Sequence, residues 1–230
     1  MTVEYTLPYK TALYALDRAY GGVSDLAAGL SPNDLLATSR CHGWVVSDVL
    51  FHLLGDAQRA LIGLASPVDD PPDRDFVTYW AGYVQEAAAA ANATAGIWAT
   101  KRAAAAFLDG RGAALLWRET APAVVRAAGY ADPHGRITTQ GHVLAVADFL
   151  ATLVTEAVIH HIDMSVNLSG APRPDDAALA VATQTLDGLL DRRAPGVTWP
   201  AGRSAEDYLL SATGRQPEPG PLSKLFPLFS

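Results

Sequence analysis

The sequence predicts an all-α protein: an antiparallel helix bundle with a short C-terminal helical extension. Apolar residues recur three and four apart over most of the chain, which is the period of a buried helix face. Clusters of Pro, Gly, Asp and Ser interrupt that period near residues 29–34, 66–73, 132–135 and 170–174. Half of the 230 residues are hydrophobic and 18% are charged, the balance of a chain with a large core. The breaks are short, and short connections make neighbouring helices antiparallel.

A first helix is expected over residues 8–28, with Pro8 in its first turn and Leu13, Leu16, Tyr20 and Val23 at helical spacing. A second runs from about Trp44 to Leu64 and stops at Ser66-Pro67. Residues 75–128 read as one or two long helices of high intrinsic propensity. The alanine runs 87–91 and 103–106 read as tight packing faces beside Tyr79, Tyr83, Trp98 and Phe107. Asp132-Pro133-His134-Gly135 is a turn, and Ile137 to Gly141 a short extended piece. A helix from about Asp148 to Leu168 closes at Gly170 and Pro172, and another spans residues 175–193. Ser204, with Asp207 three residues on, opens a last short helix that ends near Gly214. The tail from Pro217 carries Leu222, Leu225, Phe226, Leu228 and Phe229, and is expected to pack on the body or on a partner, which leaves a homodimer open. The division that follows is a bundle over 1–170 and an extension over 171–230.

Charge and composition narrow the function. A net charge of −7 and a pI near 5.2 give no sequence-independent affinity for nucleic acid, and there is no basic run to supply one. No uncharged apolar run approaches the ~20 residues that span a bilayer. The first residues lack the basic start and apolar core of a signal peptide. A single cysteine, Cys41, excludes an internal disulfide and a Cys-rich zinc site, and reads as a small core-facing thiol. The expectation is a soluble, cytoplasmic protein.

Two polar lines cross otherwise apolar helices. Around Glu156 the sequence is apolar on most sides, with one stripe of Thr152, Glu156, His160, Asp163 and Asn167 three or four residues apart. On the second helix Asp48, His52, Asp56 and Arg59 share a face. Either line could be a solvated surface or an inward site. A buried carboxylate or imidazole is unfavourable unless paired, hydrogen-bonded or bound to metal. Two histidines, His52 and His160, have an acid four residues earlier, where chance predicts roughly 0.6. In the inward reading Asp48 orients the ring of His52. His161 points about 100° away from His160 and reads as a packed neighbour. His42, His134 and His142 lack a placed partner. The chain has no G-x-S-x-G elbow, no phosphate-binding loop, no G-x-G-x-x-G after a strand and no H-E-x-x-H.

The stretch from Thr38 to Gly55 holds Cys41, Gly43, Trp44, Asp48 and His52 at the spacing of a segment of the mycothiol-dependent maleylpyruvate isomerase family, which it resembles. Thr155 to Asp163, TEAVIHHID, resembles that family's Glu-x-x-x-His-x-x-Asp signature. Thr139-Gln140-Gly141 and Thr213-Gly214-Arg215 are similar to it as well. The resemblance implies a DinB-like four-helix bundle. It also implies a divalent metal, usually zinc, on His52, Glu156 and His160, with Asp48 and Asp163 supporting them, and mycothiol as co-substrate.

Three protein ligands and an open position are the mark of a catalytic site. The expected partners are therefore two small molecules, the thiol and an electrophile, in S-transfer or in cis–trans isomerisation of a maleylpyruvate-like substrate. The alternatives are a thiol-independent biosynthetic or hydrolytic metalloenzyme on the same bundle, and a non-catalytic binding module.

Overall fold

A computed structural model describes residues 5–81, 93–107 and 111–229. Helix α1 spans Tyr9–Ala28, α2 Pro32–Leu35, α3 Val46–Leu64, α4 Ala93–Ala104 and α5 Arg111–Tyr130. A hairpin follows, β1 Arg136–Thr139 and β2 His142–Ala145, and leads directly into α6, Val146–Ser165. Then come α7, Asp176–Arg193, α8, Ala205–Ala212, and a 3-10 turn at Pro221–Lys224.

Four helices make the bundle. α1 packs against α5 and α6, and α3 packs against the same two, which closes a ring around one core. α6 is its axis. Of its twenty residues only Glu156 and Ser165 are not buried. Such a helix has almost no polar face, so the few polar groups it carries must be satisfied inside the protein. α7 covers α6 and α1 from outside, and α8 packs on α7 and α6. The architecture is the all-α, DinB-like bundle that the resemblance implies.

Helix ends follow local chemistry. Ser204 accepts from Asp207 N, the expected cap. Pro8 sits one residue before α1 rather than inside its first turn. The extended piece expected at 137–141 is one arm of a hairpin whose two turn residues, Gln140 (φ 49°) and Gly141 (φ 83°), are both left-handed, as a tight primed turn requires. Between 93 and 130 the described chain forms two helices, while Tyr83 and the alanine run 87–91 lie outside the described residues. Trp98, expected in a packing face, is exposed. Phe107 does pack, with its ring 5.8 Å from that of Phe51.

The tail folds back on the same chain. Phe229 meets Trp80, and Phe226 meets Trp199 and Tyr208. Arg193 donates to the carbonyls of Leu225, Pro227 and Leu228. No helix among the described residues is long and apolar enough to cross a membrane.

Candidate metal centre

Glu156 is the one break in the buried wall of α6 before its last residue. His160 lies one turn later on the same face, and α3 brings His52 opposite. His52 Nε2 is 2.9 Å from Glu156 Oε1, and His160 Nε2 is 3.2 Å from that same oxygen. The two rings meet edge to face with centroids 4.9 Å apart. The imidazole of His52 also leans on Trp44, at 5.3 Å. Asp56 Oδ2 stands 3.4 Å from His52 Nε2, so a second carboxylate borders the same point.

The donor set suits a divalent cation. Ligand atoms of His52, Glu156 and His160 all lie within 4.8 Å of one another. The other ring nitrogen of His160, Nδ1, is 2.9 Å from Asp163 Oδ2. With a metal bound, Nδ1 donating to Asp163 would leave Nε2 free to coordinate, the arrangement usual behind a metal-bound imidazole. Two imidazoles and a carboxylate are also the ligand types that zinc takes.

Electrostatics tie the cluster together. Burial pushes the Glu156 carboxyl up, but the charge of His160 and hydrogen bonds from both imidazoles hold it well below the usual carboxylate range. Burial disfavours charge on His160. The Glu156 charge and the bond to Asp163 outweigh it and raise the imidazole well above its ordinary value. Asp56 goes the other way: burial first, then the Glu156 charge, push it up to about 6.

Behind His160 stands Asp163, which the sequence reading named, held by Arg215 and Cys41, which it did not connect to it. Asp163 has no exposed side-chain surface, and Arg215 clamps it with two bonds, Nε to Oδ1 and a terminal nitrogen to Oδ2, each 2.6 Å. Arg215 comes from beyond α8, 52 residues away in sequence. The thiol of Cys41 donates to Asp163 Oδ2 at 3.1 Å and stands 3.6 Å from His160 Nδ1. Cys41 is therefore part of the support for His160 rather than an apolar filler. Cys41, His160 and Asp163 also lie close enough to hold a cation. Both Asp163 oxygens already carry the Arg215 guanidinium, which makes this cluster a brace.

The remaining predicted residues sort plainly. Asp48, expected to hold the ring of His52, instead accepts from Val45 N at 3.1 Å and lies 3.4 Å from Lys101 Nζ. A carboxylate at the third position of a helix satisfies the free N–H one turn back, and that is where it has gone. His161 is buried with Nε2 donating to the Pro172 carbonyl at 2.8 Å, clear of the site. Asn167 donates to Thr38 O and does not line the cleft. Thr152 does, together with Glu156, Asp56, Arg59, Gln140 and the rings of Tyr79, Trp80 and Phe149.

A scan against family models matched residues 16–165 to the mycothiol maleylpyruvate isomerase N-terminal domain. Comparisons with curated proteins and with solved structures each returned no match. The match runs from within α1 to the end of α6, the segment that carries His52, Glu156 and His160. The chain belongs to the mycothiol maleylpyruvate isomerase N-terminal domain family.

Proposed function

We propose that the chain is a metal-dependent enzyme that uses mycothiol as a nucleophile, for S-transfer to an electrophile or for cis–trans isomerisation of a maleylpyruvate-like substrate. The observation that carries the reading is the convergence of His52 Nε2 and His160 Nε2 on one oxygen of Glu156, a residue that also lines a cleft. These three residues would hold the metal, with zinc the best match to the donor set. A bound divalent ion stabilises the thiolate form of a thiol at neutral pH, which is the nucleophilic form.

The protein's own groups do the rest. Asp163, pinned by Arg215 and Cys41, fixes the tautomer of His160. Asp56 borders the cleft as the carboxylate placed to take the thiol proton. Phe149, Leu153 and Trp80 supply an apolar wall that limits water around the reacting carbon. In an isomerisation, a C–S bond forms as the carbon–carbon double bond becomes single. Rotation follows, and loss of the thiol restores the double bond. In S-transfer by addition the C–S bond is kept, and the neighbouring carbon takes up the proton that the thiol gave to Asp56. The partners are two small molecules, and the chain works as a soluble cytoplasmic protein.

Metal analysis of protein purified without added metal should find roughly one divalent ion per chain. His52→Ala, Glu156→Ala and His160→Ala should each lose it. Full occupancy in all three variants removes the metal from this reading. Calorimetry should detect mycothiol binding to the loaded wild type, and a conjugation assay should show metal-dependent turnover at neutral pH. No binding at millimolar mycothiol would remove the thiol and leave a thiol-independent metalloenzyme.

A further inference from the structure

A pocket of about 510 Å³ lies in the C-terminal extension, between the outer side of α7, the connection that follows it and α8. Thr183, Asp187 and Asp191 recur every fourth residue and form its α7 wall. Thr185 marks the inner side of that helix, since its hydroxyl pairs with that of Thr155 on α6 at 3.0 Å. Thr183 and Asp187 stand about 160° around the helix from it. The pocket therefore opens away from His52, Glu156 and His160, with α7 in between. It also lies outside the stretch 16–165 that the family match covers.

Its lining concentrates polar atoms without partners. Thr183 Oγ1 and Trp199 Nε1 are buried and have no hydrogen-bond partner among the described residues. The Tyr208 hydroxyl is buried too; it feels the charge of Asp187 without a hydrogen bond of normal geometry to it. Polar groups taken out of water are nearly always paired, so three such atoms around one pocket call for a partner that the chain does not supply. The walls are fixed in place. The Trp199 indole stacks on the Tyr208 ring at 4.5 Å and 13°, and the Arg203 guanidinium lies 4.0 Å from the indole centroid. Glu218 holds that guanidinium through two bonds, of 2.6 and 3.1 Å. Both faces of the indole are thus taken, and its N–H edge is what remains for a ligand.

The inventory of donors and acceptors selects the ligand. An indole N–H only donates, carboxylates only accept, and the two hydroxyls do either. An ammonium group or a metal ion would meet Asp187 and Asp191 and leave Trp199 unpaired. An anion would meet Trp199 and face two carboxylates. A hydroxyl group gives and receives at the same atom, and a ring or chain that carries several serves all of these groups at once. The volume falls within the range of small-molecule sites. We infer that this pocket is a binding site for a neutral sugar or polyol, separate from the metal centre. The inference does not depend on the thiol chemistry proposed above.

The test uses full-length protein with and without metal. The probes are glucose, galactose, mannose, mannitol and sucrose, with glucuronate and 1,4-diaminobutane as charged comparisons. Calorimetry should find saturable binding of at least one neutral probe below about 10 mM, with the same constant in both metal states and in His160→Ala. The two charged compounds should bind at least tenfold more weakly than that probe. Trp199→Phe keeps the stack and removes the N–H, and Asp187→Ala removes a carboxylate from an exposed position. Each should weaken binding at least tenfold at an unchanged melting temperature. Should Trp199→Phe fail to fold, Asp187→Ala carries the test. No binding by any neutral probe at about 50 mM would overturn the inference and leave the pocket to water. So would binding that survives both substitutions, binding that is lost in His160→Ala, or the diamine bound in preference to every sugar.

Discussion

Two buried aspartates stand fifteen residues apart on α6, and they end in opposite states. Asp163, near the C-terminal end, has no exposed surface and is ringed by Arg215, His160 and Cys41. Burial raises it, but the bonds from His160 and Arg215 and the Arg215 charge hold it well below the usual carboxylate range. Asp148, at the N-terminal end, is almost as hidden, at 3% exposure. One of its oxygens, Oδ1, has no hydrogen-bond partner, and the carboxylate accepts from the backbone of Phe76. Burial and the nearby charge of Asp75 push it up to about 7. Burial is common to both, so partners decide the charge. The end that bears the site has a dedicated cation, whereas the end that bears structure has a second carboxylate for a neighbour.

The comparison can be broken at several points. The largest effect should come from Asp163→Ala, which strands the Arg215 guanidinium and frees His160. Removing one partner of a buried pair costs about 3–5 kcal/mol, and urea unfolding of the metal-free protein reads it directly. A loss below 1 kcal/mol would mean that Arg215 finds water as readily as it finds Asp163. Arg215→Lys keeps a charge and loses the two-point clamp. Metal affinity should fall by about 10–100-fold, as it does when the group behind a metal-bound imidazole is disturbed. A competitive chelator titration measures this, and an unchanged constant would leave Asp163 able to hold His160 alone.

Asp148 sharpens the contrast through pH. Its folded pKa lies above the unfolded value of about 3.9, so the folded state binds the proton more tightly. Its contribution is therefore fully present below about pH 4 and is lost as pH rises from about 4 to about 7. Asp163, with a depressed value, changes stability in the opposite sense and only at the acid end, as pH falls below about 4. Asp148→Asn should accordingly match wild type near pH 4 and exceed it increasingly as pH rises, by on the order of 3–4 kcal/mol at pH 8. Parallel stability curves for the two proteins between pH 5 and 8 would show that Asp148 does not titrate there. The smallest effect belongs to Asp48→Asn. As a cap of α3 it should lower stability by about 0.3–1 kcal/mol and leave metal affinity as it was. Weaker metal binding in that variant would put Asp48 back behind His52.

What the sequence made legible follows from spacing. The period of α6 puts Glu156 and His160 on one face, and that of α3 puts His52 with Asp56 and Arg59, because neighbours on a helix are fixed by its pitch. The cap at Ser204 is equally local. Asp163 was legible beside His160 from its spacing, but the partners that hold Asp163 were not. Arg215 reaches Asp163 across 52 residues and Cys41 across 122, and no periodicity connects them. Asp48 misled for a related reason: its position one turn before His52 fits both a ring holder and a helix cap, and only the coordinates separate them. Trp98 and the break between α4 and α5 fell in alanine-rich sequence, where high propensity hides both helix ends and burial.

The Arg215 clamp has a consequence for how such chains can diverge. The family match ends at residue 165, and the counter-charge for Asp163 comes from fifty residues later. Recombination between relatives that traded everything after α6 would deliver a working protein only when the incoming segment carried an arginine able to reach that carboxylate. The ion pair thus acts as a compatibility key between two stretches of gene.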